Sequence, residues 1–395
     1  MSYSKDKIMV ILSRFPYPLE KGDKLRAYYQ LIELSKFYDV TLIAISEKKP
    51  TKSSIKEVEK VCNKLILFKS NWFIRVVYMI RSLFGKMPFQ TGYFFSYNLQ
   101  NLIKQELNSN NYKHIYCQLI RTTELVKNIH EIPKTLDYMD TLSAGLQRRI
   151  ELQPFYKKWL FKLEAKRVAE YERKIFDYFE NKTIISEQDR DLINRIDNKN
   201  ITIIPNGIAN RFFESLPKTH EFEFVFTGNM SYPPNIEAVE YIHKNILSHY
   251  KTFRLLVAGA NPHPRLIKLA QSNNNIVLTG WVDDIRNEYV KGKIFLAPMM
   301  IGTGMQNKLL EAMALEVPCI TTTLANCAIG AKKDIEILVG DTPEEIISLI
   351  DKLLINNELR DSIALKGKQF VKEKYDWENS TQKLINLIKS SSFDK

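Results

Sequence analysis

Short, mostly apolar segments alternate with longer segments of mixed polarity along the first half of the chain. The apolar segments predict strands at 7–12, 40–45, 65–68, 114–117, 135–139 and 183–186. Between them, apolar positions with helical spacing predict helices at 25–37, 99–107 and 155–179. Because strands that alternate with helices pair in parallel, this half is expected to be a doubly wound sheet with helices on both faces.

The second half repeats the same alternation with strands of its own. They are predicted at 222–227, 254–258, 275–279, 294–298, 317–321 and 335–339. Pro205-Asn-Gly207 is a turn signal between the halves. The chain is therefore predicted to be α/β with two Rossmann-like domains, 1–204 and 205–377, and ligands are expected at the carboxyl ends of the strands, in the cleft between the domains.

Composition places the chain among soluble globular proteins. Its 395 residues suit two domains of about 200 residues each, and 45% of them are apolar. No apolar run approaches the roughly 20 residues that span a bilayer, and residues 1–7 lack the apolar core of a signal peptide. We therefore expect a cytoplasmic protein.

The cysteines indicate neither a disulfide framework nor a zinc site. Cys62, Cys117, Cys319 and Cys327 are scattered, without C-x-x-C spacing or a histidine cluster. No bound metal and no cofactor are predicted.

Positive charge is concentrated in the first half and suggests a partner. Residues 1–200 carry 35 Lys and Arg against 23 Asp and Glu, which accounts for the whole net charge of +12. The excess surrounds the aromatic segment 72–84, in which Arg75 and Arg81 interrupt apolar residues. Such a segment is typical of a helix in an anionic membrane interface, but a helix packed on the sheet with its arginines in water explains it equally well. Nucleic acid is not expected as a partner, because no nucleic-acid-binding motif accompanies the charge.

The chemistry of the second half is concentrated after the predicted strand 294–298. Gly302-Thr-Gly304 allows a sharp turn into a helix predicted to begin near Met305, and a helix start offers free N–H groups to an anion. Lys308 and Glu311 are three residues apart and share a helix face. A cation beside a carboxylate suits a phosphate and a ribose diol.

The segment 301–318 resembles the nucleotide-sugar site of family 4 glycosyltransferases of the GT-B fold. In that family a helix with the pattern x-K-x-L-E-A-M-A-x-x-x-P carries the ribose-binding glutamate. Further blocks lie in the order that these enzymes show, so that the resemblance covers nearly the whole chain. These blocks are 14–18, 22–26, 203–207, 224–235, 255–259 and 277–284.

The resemblance implies a donor site in the second domain. It assigns Lys308 and Glu311 to catalysis and donor binding, with Trp281 and Val282 holding the base. It implies a last helix, 378–395, that packs back on the N-terminal domain. The remaining donor-binding residues it implies are Gly228, Asn229, Gly259, Gly302, Thr303, Gly304, Met305, Gln306 and Asn307.

The first domain is expected to bind the acceptor. The loop Gly22-Asp23-Lys24 with Arg26 resembles the glycine loop that faces the sugar. Gln118 or Arg121 stands where many relatives have a histidine, and Arg121 is a catalytic candidate. Asp137 and Asp140 follow a predicted strand and could orient an acceptor hydroxyl, with a turn or helix-cap role as the equal alternative. Asp140 is included among the predicted acceptor-binding residues.

The sequence departs from the family at two places on the donor side. Thr303 occupies the position of the first of two glutamates that are eight residues apart in the usual pattern. The block 228–235 lacks the Arg and Lys that many relatives direct at the diphosphate, so more of that task falls to Lys308. Asp189-Arg-Asp191 matches a metal-binding D-x-D, but it follows Ser186 in a helix-capping arrangement and is not assigned to a metal.

The resemblance implies a retaining, metal-independent glycosyltransferase that transfers a sugar, with a UDP-sugar as the expected donor. The basic aromatic segment favours a lipid-linked glycan acceptor at the inner face of the membrane, as in surface polysaccharide assembly. Two alternatives are a sugar-nucleotide 2-epimerase of the same fold and a non-catalytic, membrane-docked subunit that binds nucleotide-sugar.

Overall fold

The chain forms two compact units in a computed structural model. The structure describes residues 5–19, 21–46, 49–69, 71–83, 85, 87–150, 153–301 and 305–393. One unit comprises residues 1–206 with 377–395, and the other comprises 207–376. Both are α/β with parallel sheets, as the alternation of segments predicts.

In the first unit the described strands form a seven-stranded parallel sheet in the order β3-β2-β1-β4-β5-β6-β7. The strands are β1 Lys7–Leu12, β2 Asp39–Ser46, β3 Lys64–Lys69, β4 Tyr112–Gln118, β5 Lys134–Asp137, β6 Asn181–Ile184 and β7 Thr202–Ile203. The helices are α1 Gly22–Phe37, α2 Lys52–Glu59, α3 Trp72–Leu83, α4 Phe89–Phe94, α5 Tyr97–Ser109, α6 Leu142–Ile150, α7 Phe155–Ile175 and α8 Glu187–Leu192.

The second unit has a six-stranded parallel sheet in the order β10-β9-β8-β11-β12-β13. Its strands are β8 Phe222–Thr227, β9 Leu255–Ala258, β10 Ile276–Gly280, β11 Gly292–Ala297, β12 Cys319–Thr321 and β13 Leu338–Val339. Its helices are α9 Pro233–Tyr241, α10 Pro264–Ser272, α11 Arg286–Tyr289, α12 Asn307–Ala314, α13 Thr323–Ile329, α14 Pro343–Ile355 and α15 Asn357–Lys374.

The sheet of the first unit is buried on both faces. Along β1, Met9 and Ile11 belong to one core cluster, whereas Ile8, Val10 and Leu12 belong to another. Successive side chains of a strand point to opposite faces, so a strand between two helical layers is buried on both faces. This explains why the predicted strands are mostly apolar.

The last helix, α16 (Trp377–Phe393), packs on the first unit, as the resemblance implies. Leu384, Ile385 and Ile388 join the core cluster around β1. The Trp377 indole stacks on the Tyr29 ring of α1, with the ring centroids 5.2 Å apart. Apolar burial along one helix face holds the carboxyl-terminal segment to this unit.

Local sequence signals set the boundaries of several helices. Thr342 and Glu345 form a reciprocal capping box at the start of α14, with Pro343 at its first position. The predicted strand 335–339 is shorter in the structure, because only Leu338 and Val339 pair with β12. In the part of the chain that the structure describes, no helix combines the length and the apolarity needed to cross a membrane.

A fully buried ion pair joins α1 to the carboxyl end of β5. Arg26 donates from Nε and Nη2 to the two carboxylate oxygens of Asp137, over 2.6 and 3.0 Å. Its Nη1 donates to the Ile204 carbonyl and to Asn206 Oδ1, both at 2.9 Å. Tyr116 and Thr183 also donate hydroxyl hydrogen bonds to Asp137. Neither ion can be removed without leaving the other buried and unpaired.

We predict that Asp137→Ala destabilises the first unit by about 3–5 kcal/mol, because the Arg26 guanidinium loses its counterion in the core. Urea unfolding of the full chain measures the loss. Lys60→Ala is the control, since it breaks an exposed pair with Glu57 and should leave the midpoint nearly unchanged. If the urea midpoint of Asp137→Ala equals that of the wild type, the buried ion pair does not stabilise the first unit.

Candidate active site

The carboxyl ends of β8, β9 and β10 meet at backbone distances that only glycine allows. The Gly228 N–H donates to the Ala258 carbonyl at 3.0 Å, and the Gly259 N–H donates to the Gly280 carbonyl at 3.0 Å. Gly259 has φ +141, and a Cβ there would lie 1.8 Å from the Gly228 carbonyl oxygen. A Cβ on Gly228, at φ +150, would meet the Asn235 amide at 2.6 Å. These glycines leave the strand ends open for a ligand to approach the backbone.

Lys308 lies on the first turn of α12 and reaches this edge of the sheet. Its Nζ donates to Asn235 Oδ1 and lies 4.7 Å from the centre of the Phe226 ring. Asn235 is itself held by a hydrogen bond from its Nδ2 to the Asn229 carbonyl, 2.9 Å long. Burial lowers the pKa of Lys308 to about 7, although the charge of Glu311 opposes that shift. An anion placed beside this ammonium group would favour its charged form.

Glu311 is one turn further along α12, on the same face. Its Oε2 accepts a hydrogen bond of 2.7 Å from the Tyr289 hydroxyl, which in turn accepts one of 2.6 Å from Thr227 Oγ1. Burial raises the pKa of Glu311, while Tyr289, Arg211 and Lys308 act in the opposite direction. Within the described residues no hydrogen bond reaches Oε1, so this oxygen can accept one from a ligand.

The loop predicted to hold the base follows β10. Trp281 is 70% exposed, so its indole is available for stacking and does not cover the core. Val282 is half-buried beside it. Gly259 and Gly228 lie at the ends of the two neighbouring strands, so these donor candidates share one edge of the second unit.

The loop between β11 and α12 is described only in part. Gly302, Thr303 and Gly304 lie outside the described residues. Met305 and Gln306 are half-buried, and Gln306 is the residue that precedes the helix. The helix begins at Asn307, two residues later than predicted, and Asn307 is half-buried.

In the first unit the predicted acceptor loop meets the carboxyl end of β4. Gly22 is the first residue of α1, and Asp23 forms a 2.7 Å ion pair with Arg14. The buried Gln118 amide donates to the Asp23 carbonyl over 3.1 Å. Lys24 is half-buried on the same turn of α1. The structure therefore brings Gly22, Asp23, Lys24 and Gln118 together.

Of the other acceptor candidates, two have a role in the core and two remain candidates. Arg26 points into the core, where its guanidinium is fully buried against Asp137, so we do not carry it into the acceptor site. Asp137 likewise has a core role. Arg121 donates to Gln90 Oε1 over 2.8 and 3.2 Å and lies over the Phe94 ring. Much of Asp140 reaches solvent, but the surrounding protein partly desolvates its carboxyl. That desolvation, together with the nearby charge of Asp189, raises the pKa of Asp140, against the influence of Arg121.

Three residues that sequence reasoning did not single out support the donor candidates. Asn235 anchors Lys308, while Thr227 and Tyr289 orient Glu311. Asn235 belongs to the strand-end block 224–235 and could have been found there. Tyr289 lies on a four-residue helix without a motif, so only the fold reveals its contact with Glu311.

The D-x-D segment is a helix cap, as predicted. Ser186 Oγ accepts a hydrogen bond of 3.0 Å from the Asp189 amide at the start of α8, and Arg190 pairs with Glu187 and Asp191. Among the residues that the structure describes, no group of three or more His, Cys, Asp or Glu side chains could hold a metal ion.

Comparison with known protein sequences supports a glycosyltransferase. Residues 221–356 match the family model described as Glycosyl transferases group 1. An uncharacterized 44.6 kDa protein in the cps region of Klebsiella pneumoniae is 24% identical over 400 residues, which cover 94% of this chain and 96% of that protein. The capsular polysaccharide biosynthesis glycosyltransferase CapM of Staphylococcus aureus is 26% identical over 196 residues, 46% of this chain and 51% of CapM.

Solved structures establish the fold. A glycosyltransferase from Rickettsia africae matches with a TM-score of 0.69 and 17% identity, covering 98% of this chain and 99% of that one. HepE from Anabaena, in complex with UDP, matches with a TM-score of 0.67 and 10% identity. The match covers 97% of this chain and 100% of HepE. The chain thus has the GT-B fold, with two Rossmann-like domains.

We predict that Glu311→Gln lowers the pKa of Lys308 below about 7, because the carboxylate charge that favours the ammonium form is removed. NMR titration of ¹³C-labelled lysine, with the Lys308 resonance assigned from Lys308→Arg, measures the change. Glu358→Gln, at an exposed position of α15, is the control that should leave this pKa unaltered. A Lys308 pKa that stays constant or rises in Glu311→Gln would refute the coupling.

Proposed function

We propose that this protein is a retaining glycosyltransferase that transfers a sugar from a nucleotide diphosphate donor, a UDP-sugar, to a hydroxyl of a lipid-linked glycan. The observation that carries the proposal is the placement of Lys308 and Glu311 on one face of α12, at the carboxyl edge of the sheet in the second unit. That edge lies within residues 221–356, the region that matches glycosyl transferases group 1.

The chemistry of transfer makes two demands on this edge. The leaving group is a nucleoside diphosphate, so negative charge develops on phosphate oxygens and must be stabilised by a cation and N–H donors. Lys308 supplies the cation, and the start of α12 supplies the N–H groups. Glu311 accepts hydrogen bonds from the ribose hydroxyls, while Trp281 and Val282 contact the base.

The remaining details follow from the resemblance and from the relatives. Retention of the anomeric configuration, with the leaving phosphate assisting removal of the acceptor proton, is what the family implies. HepE binds UDP, and CapM acts in capsular polysaccharide biosynthesis, which supports a UDP-sugar donor and a surface-polysaccharide acceptor. In the first unit, Lys24, Arg121 and Asp140 contact the acceptor, and no metal takes part.

A transfer assay with a panel of UDP-, GDP- and dTDP-sugars tests the proposal. In the presence of EDTA, we expect sugar to move from one UDP-sugar to a lipid-linked glycan. Interconversion of the sugar without an acceptor would instead indicate an epimerase, and binding without turnover would indicate a non-catalytic subunit. Activity that EDTA abolishes and manganese restores would contradict the metal-free mechanism.

We predict that Glu311→Ala weakens binding of the donor about ten- to a hundredfold, because charge-assisted hydrogen bonds of about 1.5–3 kcal/mol are lost. Calorimetric titration with the donor that the panel identifies measures the change. Glu358→Ala is the matched control at an exposed position of the same unit. An unchanged dissociation constant in a folded Glu311→Ala protein would remove Glu311 from the site.

The first unit presents an apolar, basic surface that suits an anionic membrane. On α3 the side chains of Trp72, Phe73, Val77 and Ile80 are between 48% and 72% exposed and lie along one helix face. One of the two sequence interpretations of this segment placed its arginines in water. Arg75 is instead buried, with its guanidinium 4.9 Å from the centre of the Tyr93 ring. The apolar side of α3 therefore faces solvent, while one arginine packs inward.

A second aromatic surface lies at the start of α7. Phe155, Tyr156 and Trp159 are 87%, 57% and 64% exposed, with Lys157 and Lys162 between and beside them. Further along α7, Arg167 donates to the carbonyls of Ser82 and Gly85 at the end of α3, which ties the two helices together. Aromatic side chains mixed with lysines are suited to the headgroup region of a bilayer.

We predict that replacing Trp72 and Phe73 together with serine weakens liposome binding by about 3 kcal/mol or more, because two buried aromatic side chains are worth about 1.5–3 kcal/mol each. Sedimentation with anionic liposomes at low salt measures binding. Ile196→Ser, at an isolated exposed position of the same unit, is the control. Wild-type protein that stays in the supernatant would show that this surface does not dock on a membrane.

A further inference from the structure

A cavity of about 440 Å³ opens in the first unit, apart from the residues assigned above to donor and acceptor. Aromatic rings make up much of its wall. Phe95 lies 5.5 Å from Tyr78 and 5.0 Å from Tyr97, centre to centre, with the rings edge to face. Tyr178 and the buried Ile175 contribute from the end of α7 and the turn after it. The volume is in the range of small-molecule sites.

Three cations and one carboxylate line the same cavity. Arg81 is exposed and lies 5.9 Å from the centre of the Tyr97 ring. Lys127 Nζ pairs with Glu124 over 2.9 Å, and Lys174 also lines the wall. Glu124 accepts a further hydrogen bond of 2.8 Å from the Tyr171 hydroxyl. Because the Tyr171 hydroxyl also donates to Glu124, the carboxylate keeps one hydrogen bond when Lys127 turns towards an anionic ligand.

The position of the cavity connects it with two features already described. Tyr78 and Arg81 belong to α3, the helix whose Trp72 and Phe73 face solvent. The short helix α4 contributes Gly92 to the cavity, and its neighbouring residues Gln90 and Phe94 contact Arg121. The cavity therefore shares α3 with the exposed apolar face and α4 with the residues that contact a predicted acceptor residue.

We propose that this cavity binds a phosphate ester that carries a long apolar chain. The chain packs against Tyr78, Phe95 and Tyr97, and the phosphate lies between Arg81 and Lys127. Aromatic walls bury apolar surface, and an arginine offers paired N–H donors to phosphate oxygens. This inference rests on the proposed lipid-linked acceptor, and it makes the cavity the site where the lipid part of that acceptor is held.

Calorimetric titration of the full chain, without donor or membrane, tests the site. The probes are farnesyl monophosphate, dihexanoyl phosphatidylglycerol and inorganic phosphate, each below its micelle concentration where one exists. We expect saturable binding of at least one of the two lipids, and at least tenfold weaker binding of inorganic phosphate. Tighter binding of the single-chain probe would identify the acceptor lipid as the ligand, and tighter binding of the diacyl probe would identify a membrane lipid.

Two variants separate the role of the positive charge from that of the aromatic wall. Arg81→Gln, at an exposed position, should weaken binding of the preferred lipid about tenfold through loss of a charge-assisted hydrogen bond. Tyr97→Ala should weaken binding of the lipid but not binding of inorganic phosphate. Lys113→Gln, an exposed lysine on β4, is the matched control for charge.

Several results would overturn the proposal: neither lipid binds, inorganic phosphate binds as tightly as the lipids, or Arg81→Gln binds like the wild type. Circular dichroism confirms that each variant is folded. Since the titration contains no donor, it is independent of transfer activity. Lipid binding without sugar transfer would support the cavity as a lipid site and contradict the proposed function. Sugar transfer without lipid binding would support the proposed function and contradict the lipid site.

Discussion

Parallel strands place all of their carboxyl ends at one edge of a sheet, and both units depend on what is buried there. In the first unit this edge holds the Arg26–Asp137 pair, with four hydrogen bonds from one guanidinium to oxygen atoms. In the second unit it holds Lys308 and Glu311, which are anchored by Asn235 and Tyr289. Taking such charges out of water is costly, so each position is tolerated only because partners surround it.

The two edges differ in how completely their charges are satisfied. Arg26 and Asp137 are satisfied by each other and by neighbouring hydrogen-bond partners, and that arrangement serves stability. Lys308 has an amide and a thioether as its near neighbours, and burial brings its pKa to about 7. An anionic ligand would complete this environment, which is the physical reason for placing the diphosphate beside Lys308 in the proposed function.

On the surface of the first unit, the side chains of α3 that face solvent are not the ones that the composition of the segment suggests. The segment 72–84 is basic and aromatic in sequence, and the natural assumption is that arginines face water. Instead Arg75 packs on Tyr93 and Phe94, while Trp72 and Phe73 are exposed. Stacking on aromatic faces stabilises a guanidinium, so an arginine is not confined to the solvent side of a helix.

Patterns in the sequence were enough to predict the alternation of strands and helices, the parallel sheets and the common helix face of Lys308 and Glu311. These properties depend on local periodicity, which is written in neighbouring residues. The resemblance to family 4 glycosyltransferases also pointed to the glycines at 228 and 259, and the structure adds the reason that a Cβ at either position would meet neighbouring atoms. The fold was needed to show that Arg26 belongs to the core and not to an acceptor loop. It was also needed to show that Tyr289 and Asn235 contact Glu311 and Lys308, and that α3 exposes its apolar side. Each of these depends on contacts between residues far apart in the chain, such as the 111 positions that separate Arg26 from Asp137, and no local pattern specifies such contacts.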